Sequence, residues 1–475
     1  MGDPVGEAER RLSTWRADHA AIASAVRARI DRHYAEAALA GVLAQVLADE
    51  AAQRAEGRRS ELERTRWADV VVRSAAGAHA DAAHARAAFR AVVDLYLDDI
   101  AGGFDRRLYR AVMAVLPRAL DVAFRPLERR AAGPRFTITG PIERLRALAQ
   151  DHTLVFAPTH SSNLDSLVVG LALRRSALPP CAYAAGKHMY RNAVLARLMA
   201  GLGAYRVDRG LAASLYKDVL KAYAAELLER GFHMVIFPGA TRCRTNEVES
   251  QLKLGLLGTT LEVRRPIAIV PVTINYQVIV EAPTLIRHFL AGRSAERIGG
   301  DSPRGAGVVA ALRRIAALDE LVVVAFGAPL AVAPARDRGP DPARHLGAAL
   351  TAAYRHDTVL FATHVVARAL HELSIDQTGS VDIQQLVRRA PQAFRFPAVH
   401  ARIARVVELI RAHRSGGTLA ATIDPDDPEA MIAEALRAWA ACHPQPVAVA
   451  RNGELVVEDA GLVYFYRNRT AHLGS

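Results

Sequence analysis

A histidine and an aspartate lie five residues apart in the segment from Thr159 to Asp165, THSSNLD, which follows an apolar run. On a continuous helix, residues five apart lie about 140° apart and cannot touch. The two serines and the asparagine between them favour a turn, which would fold the carboxylate of Asp165 onto the imidazole of His160. Such a pair can act as a general base. An ordinary histidine at a strand end is the alternative interpretation.

From Phe136 onward, the chain around this pair alternates between strand-like and helix-like segments. The predicted strands are residues 136–140, 153–158, 178–185, 204–207, 233–238 and 267–276. The predicted helices are residues 142–150, 164–173, 191–202 and 212–230. This alternation predicts an α/β fold in which helices cover a mixed sheet, with His160 directly after the second strand.

Length and composition predict three regions in the 475-residue chain. Residues 1–130 are rich in alanine, arginine and glutamate and form a helical N-terminal region. Residues 135–330 form the α/β domain. Residues 346–475 form a smaller C-terminal helical region that ends in a β-hairpin, because Asn452-Gly453 is a strong hairpin turn. The segments 131–135 and 331–345 are predicted linkers.

The positive charge of the chain is concentrated in its middle. The net charge is +12, and residues 135–330 carry 24 Lys and Arg against 15 Asp and Glu. This excess suits a phosphate-bearing substrate, nucleic acid or an anionic bilayer surface. A nucleic-acid-binding protein is disfavoured, because aromatic residues do not alternate with the basic ones and no zinc or helix-turn-helix signature is present.

Cysteine usage and apolar patterning predict the compartment. Cys181, Cys243 and Cys442 are odd in number and lack zinc-site spacing, which favours a reducing compartment over a disulfide scaffold. The N-terminus has no apolar signal core, and no run reaches the roughly 20 apolar residues of a spanning helix. We therefore expect a peripheral protein at the cytoplasmic face of a membrane.

Three further segments follow THSSNLD in order: GAYRVDR (203–209), FPGATRCR (237–244) and IVPVTINY (269–276). The four together resemble the glycerolipid acyltransferase superfamily, which carries His-x-x-x-x-Asp, Gly-x-x-x-[Ile/Val]-x-Arg, Phe-Pro-Glu-Gly-Thr-Arg-Ser-Arg and Val-Pro-[Val/Ile]. The resemblance covers residues 136–281. Gly239 stands where the family has Glu, Ala240 replaces Gly, Cys243 replaces Ser, and Ser161 replaces the usual Arg or Gln.

The resemblance implies an acyl transfer with His160 as base and Asp165 as its support. The hydroxyl of a glycerol-3-phosphate would attack the thioester of acyl-CoA or acyl-carrier-protein, with no metal or other cofactor. Guanidinium groups bind phosphate bidentately. The predicted substrate-binding residues are Arg209, Thr241, Arg242, Arg244 and Lys253. Glu281 and the C-terminal segments 362–370 and 465–469 resemble glycerol-3-phosphate acyltransferases more than the shorter lysophosphatidate enzymes.

Several alternatives stay open at this point. The acceptor could be lysophosphatidate (1-acylglycerol-3-phosphate) or another lysophospholipid. The altered third motif could instead mark an impaired, lipid-binding member of the same fold. Residues 108–127 fit an interfacial amphipathic helix at an anionic membrane surface or a buried helix between domains. Residues 189–202 fit the wall of an acyl groove, a membrane-facing helix or ordinary core packing.

Overall fold

The computed structural model centres on one sheet of mixed strand direction. It describes residues 3–57, 61–77, 82–123, 136–190, 192–239, 242–292, 322–332, 340–413 and 417–474. The strands of this sheet are β1 (Phe136–Thr139), β2 (Thr153–Pro158), β3 (Ala182–Gly186), β4 (Ala204–Val207), β5 (Met234–Val235), β6 (Ile267–Tyr276), β7 (Val322–Phe326) and β8 (Leu330–Ala331). Their order is β1-β7-β6-β2-β5-β3-β4, with β8 beside β6.

The strands β6, β2, β5, β3 and β4 are neighbours in that order and run parallel to one another. Strand β7 runs antiparallel to β6 and parallel to β1. In a parallel sheet the carboxyl ends of the strands lie at the same edge, which is where ligands bind in open α/β sheets. The residues that follow β2, β4 and β5 therefore meet at one edge, and these residues belong to the first three motifs.

Helices cover this sheet as expected. They are α7 (Ile142–Asp151), α8 (Asp165–Arg175), α9 (Ala193–Gly201), α10 (Ser214–Glu229) and α11 (Ala282–Leu290). The N-terminal helices before them are α1 (Pro4–Ser13), α2 (His19–His33), α3 (Leu39–Ala55), α4 (Glu61–Gly77), α5 (Ala82–Ile100) and α6 (Arg106–Ala123).

Two strands are shorter than the sequence predicts. Strand β3 begins at Ala182 and not at residue 178, because the two prolines before Cys181 have no N–H to donate to a neighbouring strand. Strand β5 ends at Val235 and not at residue 238, since the chain turns at Pro238 and Gly239. This early turn brings the third motif out of the sheet and over its edge.

The N-terminal helices pack against one face of the sheet and share a hydrophobic core with it. Trp15 and Tyr96 are buried in this core together with Tyr205 and Tyr223, and the Trp15 indole N–H donates to the Tyr223 hydroxyl at 2.9 Å. Helix α6 ends at Ala123. The rest of the predicted segment 108–127 and the predicted linker 131–135 lie outside the described residues.

Most of the C-terminal region packs against the opposite face of the sheet, whereas Leu350 and Tyr354 of its first helix lie in the core of the N-terminal helices. Its helices are α12 (Pro342–His356), α13 (Ala362–Thr378), α14 (Ile383–Arg388), α15 (Phe396–Ala412), α16 (Pro428–Cys442) and α17 (Ala460–Arg467). Its strands are β9 (Val359–Leu360), β10 (Gln392–Arg395), β11 (Thr418–Leu419), β12 (Ala448–Arg451) and β13 (Glu454–Val457). One hydrophobic cluster combines residues of this region with residues of β2, β6 and β7.

The predicted hairpin is present, but the C-terminal region does not end in it. Asn452 and Gly453 form the turn between β12 and β13 with positive φ angles of 50° and 79°. Helix α17 and a 3₁₀ turn, Asn468–Leu473, follow the hairpin. The carboxylate of Asp459 caps α17 by accepting from the Leu462 N–H. Burial of the apolar face of α17 against α13 then favours helix over strand.

Candidate active site

His160 and Asp165 meet at the carboxyl end of β2, as the first motif predicts. The His160 Nδ1 atom lies 2.7 Å from Asp165 Oδ2. A carboxylate accepts hydrogen bonds, so Nδ1 carries the proton and the lone pair of Nε2 faces away from Asp165. Among the described residues no group hydrogen-bonds to Nε2, and 18% of the imidazole side chain is exposed. The free nitrogen can therefore reach a substrate.

Four hydrogen bonds fix the carboxylate of Asp165, which is fully buried. Besides His160, Oδ2 accepts the backbone N–H groups of Ser161 at 2.7 Å and Ser162 at 2.9 Å. The other oxygen, Oδ1, accepts the hydroxyl of Tyr276 at 2.7 Å. Two of these bonds close the turn that sequence spacing predicts. The carboxylate is thus held in one orientation toward the imidazole.

The backbone of the first motif is fastened to strand β6. The Thr159 N–H donates to the carbonyl of Val272 at 3.0 Å, and the Thr159 hydroxyl accepts the Ile274 N–H at 3.0 Å. Both contacts come from IVPVTINY, the fourth motif. The fourth motif therefore supports the histidine through the sheet, and its Tyr276 supports the aspartate directly.

Burial, and next the charge of Asp165, raise the pKa of Tyr276 well above its usual value. Tyr276 therefore stays a neutral donor. Changing Tyr276 to Phe removes one hydrogen bond to a buried carboxylate, which is worth about 1.5–3 kcal/mol. We expect the free energy of unfolding to fall by about that amount, and kcat for the proposed acyl transfer to fall with it.

The matched control for Tyr276→Phe is Tyr205→Phe. Tyr205 is also buried, but its hydroxyl has no hydrogen-bond partner among the described residues. Denaturant unfolding and steady-state rates of the two variants check the assignment. Equal stability of both variants would show that the Tyr276 hydroxyl does not hold Asp165.

A second carboxylate, Glu281, lies beside the first motif. It accepts the Ser162 hydroxyl at 3.1 Å and the Asn163 N–H at 2.8 Å. The Arg242 guanidinium lies 3.9 Å from the same carboxylate. Glu281 thus joins the first motif to the third, and it sets the position of Arg242 relative to the histidine.

Arg209 and Arg242 come from different motifs and lie close enough to affect each other. Desolvation, and next the charge of Arg242, lower the pKa of Arg209. Arg209 is exposed, so its guanidinium is accessible to a ligand. Two neighbouring guanidinium groups repel each other unless an anion lies between them, so this pair suits a phosphate.

Thr241, Arg244 and Lys253 are the other residues predicted to bind the substrate. Thr241 lies outside the described residues. Arg244 is partly buried and Lys253 is exposed. The Lys253 backbone N–H donates to the Pro238 carbonyl at 2.7 Å, so this lysine lies against the third motif. The roles of Thr241, Arg244 and Lys253 in binding stay predictions.

Two charged residues at the site escape prediction from the motifs. Glu249 is buried, and its Oε1 accepts the His160 backbone N–H at 2.8 Å. Arg469 is buried behind the site and donates to Asn275 Oδ1 at 2.8 Å. Neither residue lies in one of the four motifs. The segment FYRNR, which ends in Arg469, is the one signal that could have indicated its position.

Comparisons with known proteins agree with the motifs. The family model described as Acyltransferase matches residues 140–275. The glycerol-3-phosphate acyltransferase of Ectopseudomonas mendocina (strain ymp) is 28% identical over 345 residues, covering 70% of this chain and 40% of that protein. The glycerol-3-phosphate acyltransferase of Pasteurella multocida (strain Pm70) is 32% identical over 162 residues, covering 33% and 20%.

Among solved structures, the 1-acyl-sn-glycerophosphate (LPA) acyltransferase PlsC from Thermotoga maritima matches 52% of this chain and 77% of its own, with 15% identity and a TM-score of 0.31. The chain spans about two fifths of the length of the first curated relatives that it matches. The family match contains the first three motifs and nearly all of the fourth. Residues 140–275 match the Acyltransferase family model, and this match and the curated relatives support the resemblance to the glycerolipid acyltransferase superfamily that the four motifs indicate.

Proposed function

We propose that the chain is an O-acyltransferase that moves a fatty acyl group from an acyl thioester to a hydroxyl of glycerol-3-phosphate. The observation that carries this proposal is the 2.7 Å contact of His160 with the buried Asp165, next to Arg242. The curated relatives named glycerol-3-phosphate acyltransferase support the choice of acceptor. The donor is acyl-CoA or acyl-carrier-protein.

In the proposed mechanism His160 Nε2 takes the proton of the acceptor hydroxyl while the oxygen attacks the thioester carbonyl carbon. The tetrahedral intermediate then collapses, the carbon–sulfur bond breaks, and the leaving thiolate takes the proton from the imidazolium. Asp165 holds Nδ1 and stabilises the imidazolium between these steps.

An acceptor panel with labelled acyl-CoA and labelled acyl-carrier-protein tests this proposal. The panel contains glycerol-3-phosphate, lysophosphatidate and unphosphorylated glycerol. We expect lysophosphatidate as the main product from glycerol-3-phosphate, and little transfer to glycerol. A preference for lysophosphatidate would instead assign the alternative acceptor. Binding of lipid without any transfer by the purified chain would contradict the enzyme proposal.

Arg242 is expected to bind the acceptor phosphate. Changing Arg242 to Gln removes the charge but keeps a polar side chain, which costs about 1.5–3 kcal/mol of a charge-assisted hydrogen bond. KM for glycerol-3-phosphate should therefore rise about 10- to 100-fold, while KM for the acyl donor stays close to the wild-type value. Steady-state kinetics with each substrate varied in turn measures both.

Arg451→Gln is the control for this change, because Arg451 lies on the C-terminal hairpin and pairs with Glu458 at the surface. It should leave both KM values unchanged. If Arg242→Gln raised only the KM of the acyl donor, the arginine would belong to the donor site.

An anionic membrane surface is the proposed place of action. Among the described residues, no helix has the length and apolar character needed to cross a bilayer. Helices α6 and α9 lie side by side, and each exposes a large apolar residue, Val115 at 67% and Val194 at 80%. Arg107 and Arg197 on the same helices are also exposed. Apolar and basic side chains together favour an interfacial contact with anionic lipid.

A further inference from the structure

The space beside Gly239 is filled by the carboxylate of Glu249. A Cβ atom added to Gly239 would lie 2.4 Å from Glu249 Oε1 and 2.8 Å from its Cδ, which is closer than atoms can approach without bonding. Residue 239 is the position at which the family's third motif carries its own glutamate. The chain therefore lacks a carboxylate on residue 239 and has one from residue 249 in the space beside that position.

The Glu249 carboxylate contacts the backbone of the proposed base. Its Oε1 accepts the His160 N–H at 2.8 Å, while the His160 carbonyl accepts the Cys243 N–H at 2.8 Å. The carbonyl of His160 is thus bonded to the third motif, and its N–H is bonded to the loop that follows this motif. The other oxygen, Oε2, is buried without a hydrogen-bond partner among the described residues. Burial of this unpaired oxygen costs free energy. The buried position of the carboxylate therefore needs a reason other than its solvation.

We propose that Glu249 is a positioning residue for His160 and that it takes over the place of the glutamate which the family motif carries at residue 239. This inference rests on the proposed function, because it assigns Glu249 a part in acyl transfer. Glu249 acts through the backbone of His160 and keeps the imidazole aligned with Asp165. Gly239 is required so that this carboxylate can fit.

The environment of Glu249 raises the pKa of its carboxyl group. Burial, and to a smaller extent the charge of Asp165, raise its pKa to about 8, while the His160 N–H and the charge of Arg469 act in the opposite direction. The titratable and charged groups that surround it are His160, Asp165, Cys243, Tyr354 and Arg469. At neutral pH the folded protein therefore keeps Glu249 largely protonated.

This titration predicts the pH dependence of stability. In the unfolded chain Glu249 loses its proton near its ordinary value of about 4.3, so the folded state binds more protons between that pH and about 8. The stability that Glu249 contributes is fully present below its pKa in the unfolded chain. It is lost as the pH rises through its pKa in the folded protein. Glu249→Gln cannot titrate, and its stability relative to wild type should rise across this pH range.

Four variants test the proposal: Glu249→Ala, Glu249→Gln, Gly239→Asp and the double variant Gly239→Asp with Glu249→Ala. The alanine variant leaves the His160 N–H unpaired and should lower kcat by up to about 10²-fold with KM nearly unchanged, as expected for a small misplacement of the base. The glutamine variant keeps the acceptor oxygen and should stay near the wild-type kcat.

The double variant moves the carboxylate from residue 249 to residue 239 and is the most direct test of the proposal. An aspartate oxygen lies about as far from its own Cβ as Glu249 Oε1 lies from the Cβ position of Gly239. Gly239→Asp alone should collide with Glu249 and lose activity. The double variant should recover kcat to within a few-fold of wild type, because a carboxylate again reaches the His160 N–H.

Two results would overturn the proposal. They are a wild-type kcat in Glu249→Ala, and a double variant no more active than the better of the two single variants. Thermal unfolding of each variant separates loss of folding from loss of alignment. If the wild-type chain transferred no acyl group, the proposed function itself would fail. The pH dependence of unfolding in wild type and Glu249→Gln would still report whether Glu249 lies in its buried place beside His160.

Discussion

Changing His160 to Ala is expected to lower kcat for acyl transfer by about 10²–10⁴-fold, the usual contribution of a general base. The reason is geometric: Asp165 holds Nδ1 at 2.7 Å, so Nε2 is the nitrogen that can accept the hydroxyl proton. Without the imidazole, water or a distant group must take that proton. KM for glycerol-3-phosphate should change little, because the arginines that we propose to bind the phosphate remain.

His356→Ala is the matched control for this variant. His356 makes the same kind of contact, with its Nδ1 atom 2.9 Å from Asp357 Oδ1, but 72% of its side chain is exposed at the end of α12. Its kcat should equal that of wild type. The assignment would be wrong if His160→Ala transferred labelled acyl groups as fast as wild type, or if the two histidine variants lost activity equally.

Changing Arg469 to Leu is expected to lower the free energy of unfolding by about 1–3 kcal/mol, because the buried Ile274 carbonyl and Asn275 Oδ1 lose the donor that Arg469 supplies. Desolvation lowers the pKa of Arg469 to about 10, while Cys243, Glu249 and Asp165 act to raise it. The guanidinium therefore stays positive at neutral pH. Its removal would also leave the buried carboxylate of Asp165 without that compensating charge.

The loss of Arg469 should also lower kcat, because Arg469 donates to the Ile274 carbonyl and to Asn275 in the strand segment that places Tyr276 against Asp165. Arg451→Leu is the control, since Arg451 pairs with Glu458 at 3.1 Å in an exposed position, where such pairs are worth about 0–1 kcal/mol. Urea unfolding measures both variants. A change smaller than about 1 kcal/mol in Arg469→Leu would contradict the role of this buried charge.

The contact between His160 and Asp165 could be predicted from sequence because its geometry is local. The turn between His160 and Asp165 needs only the residues between them, and the apolar segment before them has the length of one strand. The position of Arg209 and Arg242 at the same sheet edge as this pair could also be predicted, because each arginine follows a strand. Parallel strands place their carboxyl ends at one edge of the sheet, so residues far apart in sequence converge without further information.

The supporting groups could not be predicted because they depend on tertiary packing. Glu249 reaches Gly239 across a loop whose path no propensity specifies, and Arg469 reaches the site from the last 3₁₀ turn of the chain. The amide of Asn468 donates to the Thr245 carbonyl at 3.0 Å, which ties this turn to the third motif. The same burial explains why the C-terminal region continues past its hairpin into α17.

A crystal structure of the chain with bound glycerol-3-phosphate tests the central claim most directly. The account predicts that an acceptor hydroxyl lies about 2.6–3.2 Å from His160 Nε2 while the phosphate contacts the guanidinium groups of Arg209 and Arg242. A phosphate bound at another surface, or a bound glycerol whose hydroxyl groups all lie beyond hydrogen-bond reach of Nε2, would contradict it.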